Sequence, residues 1–244
     1  MSTHSRELAP VSWRTSFQTA LRLLFFRASQ SELTQLGWRH LAIGLICTWL
    51  VGMGRYWDNP RVGLLQHLGV GSVIYIFILS FFLWLIIWPL RPRHWSYFRM
   101  LAFVSLVSPP AAIYAIPVQM VFDLDTANTI NVWFLGIVAT WRVALLWFFL
   151  RRLGELAWPQ IIVSTLLPLT LIVVTLTVLN LDKVVFDLMG GITHRSPNDS
   201  SYGALFFLSL ISTLIFIPLA IIYLTMVAAQ FWKVRKEKQE AHTR

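Results

Sequence analysis

Four stretches of this chain run for more than twenty residues without a charged side chain: Leu68 to Leu90, Met100 to Phe122, Leu156 to Leu181 and Ser200 to Trp232. The hydrocarbon core of a bilayer is about 30 Å thick, and a helix needs about 20 predominantly apolar residues to cross it. Each stretch is therefore predicted to be a membrane-spanning helix. A fifth, Thr126 to Leu150, is interrupted once, by Arg142. A sixth, Leu36 to Trp57, has Arg39 and His40 near one end and Arg55 near the other. Long arginine side chains carry their charge back to the interface, and Trp38, Tyr56 and Trp57 stand where an aromatic belt is expected.

Composition agrees: 57% of the residues are hydrophobic, only 13% are charged, and the mean hydropathy is +0.65. Charge orients the expected bundle. With six spans and a cytoplasmic N-terminus, Arg6, Arg14, Arg22, Arg27, Arg39, Arg91, Arg93, Arg99, Arg151, Arg152 and the tail basics fall inside. Arg55, Arg61, Lys183 and Arg195 fall outside, which is the positive-inside pattern. Dropping the first span would place the N-terminal arginines outside. The expected fold is an all-α, polytopic membrane helix bundle of six transmembrane helices with both ends cytoplasmic.

Three regions are expected: a cytoplasmic N-terminal segment over 1–35, the six-helix domain over 36–232, and a basic cytoplasmic tail over 233–244. Within the first, Trp13, Phe17, Ala20, Leu21, Leu24 and Phe25 recur at helical spacing opposite Arg14, Gln18 and Arg22, the pattern of an amphipathic helix. Two placements are open. It lies on the anionic inner leaflet, or its apolar stripe packs on the protein itself. No cleavable signal peptide is read in the first 35 residues. Asp182 to Asp199 is the one external segment long enough for a small cap.

The net charge of +9 is spread over every inner segment, so no nucleic-acid partner is expected. The partners expected are the lipid bilayer, anionic lipids at the N-terminal helix, and a membrane-protein partner or a second copy of the chain. Cys47 is the single cysteine, which excludes a disulfide framework and a thiolate metal site. The six histidines all lie at or beyond the interfaces without metal-ligand spacing, and no acidic residue lies within a span. Neither a metal, a cofactor nor an enzymatic centre is expected.

Arg142 is the most informative residue, because a charge inside a membrane is expensive and needs a partner or a purpose. The third span offers one. Pro109 and Pro110 lack backbone donors and free the carbonyls of Ser105 and Leu106, four residues earlier. The expectation is a polar group of Arg142, Ser105, Ser108, Pro109 and Pro110, either as a structural clamp or as a ligand-binding arginine. At the opposite end of the spans, Arg55, Asp58, Asp123, Asp125, Asn128 and Asn131 form an expected external polar cluster. Gly69-Val70-Gly71 reads as a helix contact, since no phosphate-loop pattern accompanies it.

A basic amphipathic N-terminal segment followed by closely spaced spans resembles the YIP1-like multi-pass proteins of bacteria. Gly54 to Pro60, Tyr114 to Val118 and Thr140 to Val143 resemble marked segments of bacterial inner-membrane proteins. Six spans with the C-terminus inside depart from the five of the eukaryotic YIP1 proteins. Two functions are compatible with the chain: a non-enzymatic scaffold or partner subunit of a membrane complex, and a small transporter or lipid-handling protein built on Arg142 and the broken third helix. A polar cavity reaching Arg142 would favour the second.

Overall fold

The computed structural model describes residues 12–55, 57, 63–185 and 200–242. These residues are predominantly helical, with no strand among them. The α-helices are α1 (Trp13–Leu24), α2 (Gln30–Thr34), α3 (Trp38–Gly54), α4 (Leu64–His67), α5 (Val70–Ile87), α6 (Tyr97–Leu106), α7 (Leu124–Arg152), α8 (Trp158–Val178) and α9 (Ser200–His242). Short 3₁₀ helices follow α5 at Trp88–Leu90 and α6 at Pro109–Ala115 and Val118–Met120.

Five segments are long and apolar enough to cross a membrane: Val70–Leu90, Tyr97–Met120, Asp125–Arg152, Trp158–Val178 and Leu205–Lys236. The first expected span does not join them by length. It is helical only over the 17 residues of α3, about 26 Å at 1.5 Å per residue, because helix geometry ends at Gly54 before Arg55. α9 runs unbroken from Ser200 to His242, so the basic stretch up to His242 is helical and continuous with the last apolar segment. Of the expected external cap, residues 182–185 are helical and the rest lies outside the described residues.

α6 is the centre of the bundle. Met100 to Ser108 are buried without interruption, the mark of a helix covered on every side. α3 and α5 cover it, with Phe149 of α7 stacked on Phe103 at 4.1 Å between ring centroids. The α3 contact depends on a missing side chain: a Cβ on Gly44 would lie 2.7 Å from Ser105 Cβ and 2.8 Å from the Leu106 nitrogen. At the other end of α3, a Cβ on Gly52 would meet Ser72 Cβ of α5 at 2.9 Å. Gly69, at φ +67°, turns the chain into α5 against Trp49 and Met53. Small residues at such crossings let membrane helices approach closely. α8 and α9 pair along their length and meet α5 through Tyr223, whose hydroxyl donates to the Ile86 carbonyl at 2.8 Å. Large apolar side chains such as Ile78, Phe81, Phe206, Leu214 and Ile217 remain exposed, as they would be in lipid.

The N-terminal segment is part of this core. Leu23, Ala28, Leu33 and Leu36 are buried in the same cluster as α6 and α7. The expected apolar stripe of α1 divides: Ala20 faces inward with Ser16, Thr19 and Leu23, whereas Trp13, Phe17, Leu21 and Phe25 form an exposed row. Trp13 meets the Trp38 ring edge-on at 5.1 Å. Ser29 caps α2 reciprocally with Glu32, and Arg22 bonds Glu32 at 2.8 Å.

Gly44→Ala forces a Cβ into backbone as well as side chain, so it is expected to cost about 1–3 kcal/mol. Gly71→Ala, where an added Cβ meets nothing within 4 Å and the site is helical, is not expected to destabilise; thermal unfolding in detergent compares the two. Partial burial of Glu32 pushes its carboxyl pKa up, but the Ser29 amide, the Ser29 hydroxyl and Arg22 outweigh it and hold the pKa below the usual value. A lowered folded-state pKa stabilises above the ordinary carboxylate value, and the contribution is lost as pH falls through the folded value. The unfolding temperatures of the protein and of Glu32→Gln should therefore differ at neutral pH and converge in acid.

Candidate functional site

α6 ends where the two prolines begin. Past Leu106 the chain tightens from α to 3₁₀ geometry, with Ser108 N donating to Ser105 O at 3.3 Å and Ala111 N to Ser108 O at 3.0 Å. In that register a proline frees the carbonyl three residues before it. Pro110 therefore exposes Val107 O, and Arg142 Nε donates to that oxygen at 3.3 Å. The acceptors expected from α-helical counting were Ser105 and Leu106. The structure moves the bond by one residue because the break is a 3₁₀ turn. Ser105 instead turns its hydroxyl onto the Ala102 carbonyl at 2.8 Å. Ser108 pairs with Thr48 of α3 at 2.6 Å between hydroxyl oxygens, while the Thr48 hydroxyl donates to the Gly44 carbonyl at 2.8 Å.

Arg142 stands ten residues before Arg152, so its Cα is roughly 15 Å along α7 from that end. A guanidinium carries five N–H donors, and Nε uses one. Among the described residues, Val107 O is the acceptor it meets. The four Nη donors belong to a side chain that lines a cavity of about 310 Å³. α3 supplies Thr48, Val51 and Gly52 to this cavity, with Arg55 just past its end, and α4 supplies Gln66. α5 supplies Gly71, Ser72, Tyr75 and Ile76; the break supplies Ser108, Ala111 and Tyr114; α7 supplies Arg142, and Val185 completes the wall. Tyr75, Tyr114 and Arg55 are all within electrostatic range of Arg142. The Arg55 guanidinium sits 5.0 Å from the centre of the Tyr114 ring, a cation–π distance.

The residues of the expected external cluster divide with respect to this cavity. Arg55 lines the cavity, whereas Asp123, Asp125, Asn128 and Asn131 are absent from its walls. Asp123 is the N-cap of α7 and accepts from Thr126 N at 3.1 Å. The exposed Asp125 sits in the first turn of α7, Asn128 is buried, and Asn131 is half-buried. Asp58 lies outside the described residues. No group of three or more His, Cys, Asp or Glu side chains among the described residues could hold a metal ion. Tyr75, Ser72, Gln66 and Thr48 were not read from the sequence as site residues. Their signal was faint: isolated polar residues in apolar runs, facing one another only after folding.

No family model matches the chain, and neither a curated protein nor a solved structure does. The YIP1-like resemblance therefore stands on layout alone.

Arg142→Leu leaves Val107 O without its donor in an apolar setting, a loss of about 1–3 kcal/mol. Tyr75→Phe, which leaves this bond intact, is expected to lower stability far less. Intrinsic-fluorescence melting of the detergent-solubilised variants measures both.

Proposed function

We propose that this chain is a small transporter or lipid-handling membrane protein in which a cavity admits a ligand to Arg142. One observation carries the reading: the walls of a roughly 310 Å³ space between α3, α5, α7 and the α6 break include Arg142 itself. Small-molecule sites begin near about 300 Å³, and an intramembrane charge facing such a space is a functional group by default. Broken helices at membrane depth are tolerated where they are buried in protein or line a cavity, and Ser108, Ala111 and Tyr114 of this break do line it. A purely structural clamp needs one donor from Arg142 and no space beside it.

The proposed topology has six spans, with α3 as the short first one and both termini in the cytoplasm of a bacterial cell. Arg22, Arg93, Arg99, Arg151 and Arg152 then gather at the inner face, and Arg55 and Gln66 of the cavity wall lie toward the outer face. α1 rests on the inner leaflet through its exposed row of Trp13, Phe17, Leu21 and Phe25, beside Arg14 and Arg22. This surface also supports the scaffold reading, in which the protein serves a membrane-protein partner without a ligand of its own.

Single-cysteine variants in a Cys47→Ala background test topology and cavity together. In intact cells a membrane-impermeant thiol reagent should modify Asn59→Cys and spare Arg93→Cys; the reverse pattern sinks the topology. Gly71→Cys, at a cavity wall with room for a side chain, should react from the same side as Asn59→Cys. A Gly71→Cys variant that is folded but inert to polar reagents, in cells and in detergent, would overturn the cavity reading in favour of the scaffold.

A further inference from the structure

We infer that the Arg142 cavity opens sideways into the bilayer between α5 and α7, and that its occupant is a membrane lipid whose headgroup enters while its acyl chains stay outside. This inference rests on the open-cavity reading and names the class of ligand. α5 presents two rows to the cavity. Ser72 and Ile76 form the first; Ser72 abuts Gly52 of α3, and Ile76 is buried. Gly71 and Tyr75 form the second, and both are exposed, with open space where a Gly71 Cβ would stand. The cavity wall therefore runs from the interior of the bundle to its outer surface across the width of one helix. Tyr75 stands five residues inside the Val70–Leu90 span, roughly 8 Å along the helix, so this edge faces acyl chains.

The packing of the helices accounts for the uncovered edge. α5 and α7 both wall the cavity, through Tyr75 and Arg142, yet among the described residues they do not pack along one another. α8 and α9 cover the same edge of α5 only further along. Ile86, eleven residues past Tyr75 and on the same face by helical period, packs against Val163 and Leu167 of α8 and Leu219 of α9. The gap is thus confined to the half of α5 that holds Tyr75. Beside it Ile74, Ile78, Phe81 and Leu85 form an exposed apolar stripe at helical spacing. A lipid matches this order of surfaces. Its chains lie on the stripe, and the Tyr75 ring stands at the threshold with an apolar body and a polar tip. Headgroup oxygens accept from the Nη donors of Arg142, whose Nε alone is spent on Val107 O. At about 310 Å³ the space is at the low end of small-molecule sites, which suits a headgroup without its chains. A water-borne solute would leave the stripe unused.

The test uses Gly71→Cys in the Cys47→Ala background, in detergent, and follows its modification by an uncharged polar maleimide. Dihexanoyl phosphatidylethanolamine and dihexanoyl phosphatidylglycerol are each compared with their deacylated headgroup at equal concentration. At least one lipid should slow modification about threefold or more, the factor reached when a ligand stands at twice its Kd, and its deacylated headgroup should not. Arg142→Gln should remove that protection by withdrawing the headgroup's donors; if it yields no folded protein, Ile78→Gln, on the exposed stripe, should remove it. Equal protection by a lipid and its deacylated headgroup would assign the cavity to a water-borne solute and overturn the lipid. Absence of protection at a reactive cysteine overturns it too, as does protection that survives Arg142→Gln or, where that variant does not fold, Ile78→Gln; in each case the cavity stands. A cysteine inert in every condition overturns the cavity reading and this inference together.

Discussion

A backbone carbonyl that loses its helical donor inside a membrane must find another, because lipid offers none. Much of this bundle is arranged around that requirement. Pro109 and Pro110 end α6 at its most buried point, and the oxygen they expose at Val107 is met by Arg142 from another helix. Pro89 does the same at the end of α5. The 3₁₀ turn Trp88–Leu90 leaves Ile86 O free, three residues before the proline, and the Tyr223 hydroxyl of α9 fills it. Each break thus selects a polar donor on a distant segment and fixes which helices adjoin.

Helix ends raise the same demand, and here indoles and arginines meet it. Trp141 Nε1 donates to Leu24 O at the end of α1, and Arg99 Nε to Thr34 O at the end of α2. Trp49 Nε1 donates to Leu68 O just past α4, and Trp57 Nε1 to Ala115 O at the end of the 3₁₀ segment. The last carbonyls of a helix have no partner within it, and a Trp or Arg side chain reaches them without burying a second acceptor. Adjacent residues on α7 therefore do two jobs: Trp141 ties down the N-terminal segment, and Arg142 secures the central break. The N-terminal segment belongs to the bundle for this reason as much as for its buried leucines.

Hydropathy alone was enough to read the helical class and the five long spans, since an uncharged run of more than twenty residues has few other solutions. The importance of Arg142 was legible for a related reason, as a charge where charge is costly. What could not be read was geometry that depends on local register. The shift from Ser105 and Leu106 to Val107 follows from the tightening of the chain after Leu106, which the Pro-Pro pair permits but does not announce. The division of the α1 stripe depends on where α3 and α6 lie, and the cavity walls are single polar residues on five separate elements. Arg55 shares a membrane level with the acidic residues beyond the spans, and its place over the Tyr114 ring at the cavity wall depends on folding that the sequence does not display.

The break and the cavity have a common cause. A neutral side chain could have satisfied Val107 O, as Tyr223 satisfies Ile86 O with a single hydroxyl. An arginine at this depth carries four more donors and a charge that the carbonyl cannot neutralise. The desolvation of that charge is a continuing cost, and water or a ligand in the adjoining space offsets it. Glycines at 52 and 69 keep α3 and α5 close at one end, where Gly52 abuts Ser72 and Gly69 abuts Trp49 and Met53. Deeper in the bundle, the 3₁₀ turn at Pro109 diverts the chain at the level of Ser108 and Thr48, beside the space that Arg142 faces. A space beside a guanidinium is therefore what remains when a broken central helix is repaired with an arginine.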